Sequence, residues 1–428
     1  MRRACLVATL CLLAVAAGCG GSHVALRRCT LPMSGLGSLR YTGGLLAEMS
    51  DGSLVVGVAR EHGRTLTVAL HRVNASCGRV TSFGTDGVAT VSITAKTGPF
   101  GYFDTSIDVI AADPNGGLIL GGSQGHRELV GRLLENGRLD GSFGHGGWAR
   151  IDSHERSTRY FSPYASVTSI AFTPSGSVLL GGNDGGAHCC ARSLVTEITK
   201  TGAVVTSFGS AGTVIVPKMA GSYTTQLAPN SDGSVYVYVE YEQSGGSNVE
   251  VVRLRADGSL DRRFDATVAR SILRVASANF RFTPTLVPGS GGTFALVGGL
   301  DKNTLFGPPE VSTGVEVSVE PSGHIHGKTR FSSSRYEFDN PAAVRLPSGG
   351  IVAAAGVYHS EPRPPYDSLR TVLIQSFSPD GSKAGRARIR ASMIPPHGHI
   401  VGLVPAPKGA WVAMANTQEF ELVPVAAG

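Results

Sequence analysis

The chain repeats itself, and this constrains its fold more than any other feature. "LAEMSDGSLVVGV" (46–58) returns as "IAADPNGGLILGG" (110–122), "IAFTPSGSVLLGG" (170–182) and "LAPNSDGSVYVYV" (227–239). Three more copies follow: "LVPGSGGTFALVG" (286–298), "VRLPSGGIVAAAG" (344–356) and "LVPAPKGAWVAMA" (403–415). Their aligned glycines, Gly52, Gly116, Gly176, Gly233, Gly292, Gly349 and Gly409, stand about sixty residues apart. Each copy reads as two short apolar strands around a tight turn, because "SDG", "PNGG" and "PSG" supply residues that tolerate positive φ.

A second phrase falls between the copies, around Gly78, Gly137, Gly202, Gly258, Gly323 and Gly381. It is plainest in "VTSFGTDGV" (80–88), "LDGSFGHGG" (139–147) and "VVTSFGSAGTV" (204–214). An alternating strand precedes it, as in "VEVVRLRADG" (249–258), and another follows, as in "GVATVSI" (87–93). The phrase therefore marks the turn between a third and a fourth strand, its Phe packed inward while the glycines reverse the chain. No segment shows a 3.6-residue apolar period, so the expected class is all-β. Four antiparallel strands per unit, repeated radially, predict a seven-bladed β-propeller. The last unit offers only three strands, the third being "EFELVPV" (419–425). Residues 24–42 are spare and are expected to supply its fourth, closing the ring with both chain ends in one blade.

The N-terminus reads as a leader. Arg2 and Arg3 precede an apolar run, Ala4 to Val15, that is too short to span a bilayer, and "AAGC" (16–19) follows. The thiol after Ala-Gly resembles the lipobox of bacterial lipoproteins, which implies acylation of Cys19 and a membrane partner through that lipid. Ala16 stands where the lipobox usually has Leu. The expected division is 1–18 leader, 19–35 tether and closing strand, and 36–428 propeller, in a protein exported to face outside the cytoplasm. Of seven cysteines, Cys29, Cys77, Cys189 and Cys190 then remain in an oxidising compartment. A closing strand near residue 29 would lie beside the first blade, whose outer turn holds Cys77, so Cys29–Cys77 is the expected pair. The formal charge of +6 comes from scattered basic residues with no run longer than "RR", which argues against nucleic acid as a partner.

"VGRLLENGRLDGSFGHGGWARI" (130–151) and "VVRLRADGSLDRRFD" (251–265) resemble the bacterial delta-60 repeat. The resemblance covers nearly the whole chain beyond the leader. It fades in "EPSGHIHGKTRF" (320–331) and "SPDGSKAGRARI" (378–389), which lack the Leu-Asp pair and the double glycine. It implies a propeller in an exported or surface protein and implies no catalytic residues.

Function is expected on one face of the ring. The turns within strand pairs are short and uniform, whereas the other connections vary, as in "NDGGAHCCARS" (183–193), "LDKNTLFGPPEVSTG" (300–314), "YHSEPRPPYDS" (358–368) and "DSHERSTRYFSPYAS" (152–166). An aromatic precedes most turn glycines: Tyr41, Phe103, Tyr164, Tyr223, Phe282 and Phe338, with His397 or His399 in the seventh unit. Such a ring near the channel mouth would hold a sugar or other flat ligand, or would simply pack blade against blade. Asp104, Asp108, Asp339 and Asn340 are oxygen ligands of the kind calcium takes, or else turn caps and solvated groups. No other cofactor is implied. "GGSQG" (121–125) lacks the strand–turn–helix elbow a nucleophilic serine needs, and the pairs in "HIH" (324–326) and "HGH" (397–399) belong to opposite faces. The expected role is a binding scaffold for a protein or glycan. The alternatives are a metal-dependent propeller hydrolase or lyase, and a structural component of the cell envelope.

Overall fold

The computed structural model describes residues 29–32, 45–94, 105–152, 163–186, 189–216, 222–243, 246–264, 280–302, 312–334, 338–360, 367–395, 398–406, 409–415 and 419–426. They form seven antiparallel sheets arranged as a seven-bladed propeller. Strand β1 (Cys29–Pro32) stands apart from its sheet in sequence. Blade 1 is β2 (Leu45–Glu48), β3 (Leu54–His62), β4 (Thr65–Val73) and β5 (Val88–Thr94). Blade 2 is β6 (Thr105–Ala112), β7 (Leu118–Gln124), β8 (Arg127–Leu133) and β9 (Trp148–Asp152). Blade 3 is β10 (Pro163–Phe172), β11 (Val178–Gly186), β12 (Cys189–Ile198) and β13 (Thr213–Ile215). Blade 4 has three described strands, β14 (Ser222–Pro229), β15 (Val235–Gln243) and β16 (Gly246–Leu254). Blade 5 is β17 (Phe280–Pro288), β18 (Phe294–Lys302), β19 (Ser312–Val319) and β20 (Ile325–Ser334). Blade 6 is β21 (Phe338–Arg345), β22 (Ile351–Ser360), β23 (Asp367–Phe377) and β24 (Lys383–Ile389). Blade 7 is β25 (His399–Ala406), β26 (Gly409–Ala415) and β27 (Glu419–Ala426), completed by β1, whose Cys29 pairs with Leu422 and Pro32 with Glu419.

The first strand of each blade lies innermost, and successive first strands touch around the axis until β25 meets β2. The apolar core is divided among the seams. One cluster joins Leu70 and Phe83 of blade 1 to Ile107 and Leu118 of blade 2, and another joins Val412 and Val423 of blade 7 to Val372 and Ile374 of blade 6. Each blade is thus apolar on both sides, and neither side is buried without a neighbour.

The repeated phrase is the fastener of these seams. Phe83, Phe143, Phe208 and Phe264 are all buried. The glycine after the first three donates its N–H to the outer turn of the next blade: Gly84 to Asn136 O, Gly144 to Thr201 O and Gly209 to Asp257 O, each at 2.8 Å. The next blade answers with a bare turn residue, since a Cβ on Gly137 would lie 3.0 Å from the Phe83 ring and one on Gly202 3.1 Å from that of Phe143. The arginines of the third strands add a second fastener. Arg72 reaches Asp51 at 3.0 Å and the Glu135 carbonyl of blade 2 at 3.1 Å. Arg132 reaches Asp113 at 2.9 Å and the Lys200 carbonyl of blade 3 at 3.2 Å. These charged hydrogen bonds lie on the face where the strand-pair turns emerge, here the turn face.

The closing seam is built differently, and it corrects the expected position of one turn residue. The backbone bridge Val73–Arg79 matches Leu133–Leu139, Ile198–Val204 and Leu254–Leu260, so the counterpart of Gly137, Gly202 and Gly258 is Cys77, not Gly78. Cys77 has φ of 66°, close to the 80° of Gly137, and is among the few non-glycine residues in that region. Strand β1 carries no Phe-Gly phrase. In its place Cys29 forms a disulfide with Cys77, their Cα atoms 5.7 Å apart. A covalent bond therefore stands where the seams among blades 1 to 4 use a buried ring and an N–H donor.

The two functions of Cys77, cross-link and turn residue, separate by mutation. Both Cys77→Ala and Cys77→Gly lose the cross-link across 48 residues, worth about 4 kcal/mol by loop-closure entropy. Only the glycine fits the left-handed turn, so Cys77→Gly should be the more stable of the two by about 1 kcal/mol in chemical denaturation. Equal stability of the two variants would contradict the turn assignment.

Candidate functional site

The inner ring holds the polar side chains nearest the axis. Five first strands carry a register shift: at Ile107/Val109 in β6, Val167/Ser169 in β10, Thr224/Gln226 in β14, Asp339/Ala342 in β21 and Ile400/Gly402 in β25. A bulge turns one extra side chain out of the strand's alternation. In blade 2 that residue is Asp108. Its Oδ2 accepts hydrogen bonds from Ser106 Oγ at 2.7 Å and from Ser166 Oγ of blade 3 at 3.0 Å. Ser106 is also 2.9 Å from Ser123. Burial raises the Asp108 pKa, and the two serine hydroxyls pull it back. In the following seams the residue just after the bulge makes the link: Ser169 Oγ accepts from Leu227 N at 3.1 Å, and Gln226 Oε1 accepts from Leu286 N. Asp108 is accordingly a clasp between inner strands. Among the described residues no group of three or more His, Cys, Asp or Glu is arranged to hold a metal ion.

The other expected residues divide by what the structure describes. The backbones of Tyr164, Tyr223, Phe282 and Phe338 lie in the innermost strands β10, β14, β17 and β21, but their cross-strand partners, Gly185, Glu240, Leu300 and Val357, are not all in the same register, so the four do not occupy one equivalent position. Asp339 and Asn340 lie in β21 at its register shift. The side chains of these six are outside the described residues, as are Cys19, Tyr41, Phe103, Asp104 and His397 altogether. His399 begins β25 and is half-buried. Ser123, the serine of "GGSQG", sits within β7, bonded to Ser106 and flanked by strands rather than by an elbow. The stretch 183–193 is not a loop: β11 runs through Gly186 and pairs with Cys189 at the start of β12, leaving a hairpin tip.

One feature escaped sequence reasoning. Glu128 lies in β8 directly across from Ser123 and faces blade 3, where its Oε1 is 3.3 Å from the point a Cβ on Gly182 would occupy. Glu128 and Asp184 are both buried. Desolvation pushes the Glu128 carboxyl up to about 8; the Thr196 hydroxyl opposes this and the Asp184 charge adds to it. In "HRELVGRL" Glu128 reads as the polar half of an alternating strand, and nothing local shows that another blade covers it.

No protein-family model matches the chain, and no curated protein sequence does either. Several solved structures align with most of the chain. An ulvan lyase of a polysaccharide lyase family aligns over 92% of this chain and 93% of its own at 11% identity, with a TM-score of 0.49. The polysaccharide lyase Uly1 aligns over 91% and 92% at 9% identity, with a TM-score of 0.48. The Nup133 propeller domain of Vanderwaltozyma polyspora aligns over 84% and 92% at 10% identity, with a TM-score of 0.44.

Glu128 makes stability depend on pH with a defined sign. Its folded pKa lies above the ordinary 4.5, so the folded state holds a proton that the unfolded chain releases. The stabilisation is complete below about 4.5 and falls away as pH rises to about 8, by several kcal/mol at about 1.4 kcal/mol per pH unit. Glu128→Gln should flatten this part of the profile and melt above the parent at pH near 8. A parallel decline in both proteins would show that Glu128 is not the group responsible.

Proposed function

We propose that this chain is an exported propeller of the delta-60 repeat kind, lipid-anchored through Cys19, and that it works as a binding scaffold. The observation that carries this reading is the commitment of the repeated residues. The Phe of the phrase is core, its Gly docks on the next blade, and the third-strand Arg joins two turns. None of these groups is left to act on a ligand. What differs between blades lies on the opposite face, the loop face. There β3 joins β4 through residues 63–64 and β7 joins β8 through 125–126, whereas β18 joins β19 through 303–311 and β22 joins β23 through 361–366. Unequal connections on a rigid ring are where binding specificity resides. The Cys29–Cys77 disulfide supports maturation in an oxidising compartment outside the cytoplasm. The rival reading, a metal-dependent hydrolase or lyase, loses support at Asp108, whose carboxylate is bonded to Ser106 and Ser166.

Two experiments test the two halves of the reading. Cys19→Ala should abolish incorporation of labelled fatty acid, and an unchanged label would overturn the anchor. A photo-crosslinking amino acid at Arg64 or His126, both exposed at loop-face tips, should trap a protein or glycan in the living cell. The same probe at Pro321 or Ser322, exposed on the turn face, should not. Adducts from the turn-face positions alone would reverse the assignment of the binding face.

A further inference from the structure

The outermost strands of blades 5 and 6 gather basic residues that lie far apart in the chain. Lys328 and Arg330 are exposed on β20, and Lys383, Arg386 and Arg388 on β24, with Arg390 exposed just beyond. Neither strand contains an acid. Thr329 Oγ1 donates to Gly381 O at 3.0 Å, so β20 touches the turn that leads into β24, and the two strands stand as neighbours on the outer edge of the ring. Glu320 and Asp380 occupy the turns that lead into these strands, and the basic stripe runs from there toward the loop face. The Lys328 ammonium is held below its ordinary pKa by burial and then by repulsion from Arg330, which marks the local field as positive. Charged edge strands also discourage unwanted sheet pairing. That need does not account for the stripe, because β5 has no charged residue and β9 has one Arg and one Asp.

The chain's own tether narrows the choice of partner. Cys19 precedes β1 by ten residues, a span of about 35 Å when extended, and β1 is the outer strand of blade 7, next to blade 6. We propose that the basic rim of blades 5 and 6 lies against an anionic phospholipid surface. This rests on the anchor reading above only for proximity, since the rim is present with or without acylation. A lipid chain and a polybasic patch together hold a protein on a membrane far better than either does alone. Docked in this way, the propeller would stand on its rim with the loop face open to one side.

The test uses the full chain carrying Cys19→Ser, so that no acyl group contributes, in co-sedimentation with phosphatidylcholine vesicles with or without phosphatidylglycerol. The chain should sediment only with the anionic vesicles, and should do so less as salt rises. Replacing each rim cation by Gln should weaken the association about fivefold. Lys328→Glu combined with Arg386→Glu and Arg388→Glu should abolish it at an unchanged melting temperature. Arg138→Glu with Lys200→Glu, an exposed basic pair on the turn face, serves as the charge control and should lose little. Absence of sedimentation at low salt, or equal loss in the control, would overturn the proposal. So would binding to an acidic polysaccharide such as polygalacturonate in the absence of vesicle binding. Failure of acylation at Cys19 would leave this result unaffected, which keeps the two readings separable.

Discussion

The seams among blades 1 to 4 depend on the contact between one blade's Phe-Gly phrase and the outer turn of the next blade. A four-stranded blade of this composition is apolar on both sides and has no stable existence in water by itself. Side-chain burial supplies most of the energy, at roughly 1.5–3 kcal/mol for each large apolar residue removed from water. Burial alone does not fix the angle between blades. The N–H groups of Gly84, Gly144 and Gly209 do, because each must meet one particular carbonyl of the neighbouring turn. The arginine fasteners, Arg72 and Arg132, repeat the specification from the third strand. Direction and distance are thus set at two points in the seams between blades 1 and 2 and between blades 2 and 3, and the apolar clusters fill the space so defined.

Most of the architecture was legible in the sequence, because the two phrases encode it locally. The hairpin turns need residues that tolerate positive φ, and the missing strand of blade 7 follows from counting strands. The errors arose where a local pattern has two meanings. Gly78 aligns with the turn glycines by eye, yet Cys77 occupies the left-handed position, and only the backbone register separates the two. The stretch 183–193 looks like a loop because it is rich in glycine, but its described residues belong to the paired strands β11 and β12. Non-local juxtaposition was out of reach altogether. Glu128 and Asp184 are fifty-odd residues apart, and their meeting depends on how blade 2 faces blade 3. The basic rim is a similar case: its cations fall between residues 328 and 390, scattered among neutral residues, and only the ring collects them.

The polar residues divide into two belts with different work. On the turn face, carboxylates and guanidinium groups are partly exposed and paired, as in Arg253 with Asp232 at 2.7 Å. Such pairs orient turns and contribute modestly to stability. Around the axis the polar groups are buried or half-buried and mostly neutral: Ser106, Ser123, Ser166, Ser169 and Gln226 hydrogen-bond across adjacent strands. Asp108 and Glu128 are two acids drawn into or near this belt, and burial raises the pKa of both. A neutral belt avoids the desolvation penalty of buried charge while still fixing register.

The closing strand also bears on the order of assembly. The hydrogen bond from Thr30 to Glu421 spans 391 residues, so blade 7 cannot be completed until the last strand has been synthesised. The disulfide that holds the same segment spans only 48 residues and becomes available once the outer turn of blade 1 has formed. A chain made from its N-terminus can therefore fasten β1 beside blade 1 while six blades are still to come. The last blade then docks onto a waiting strand, and the slowest contact in the ring becomes a local one.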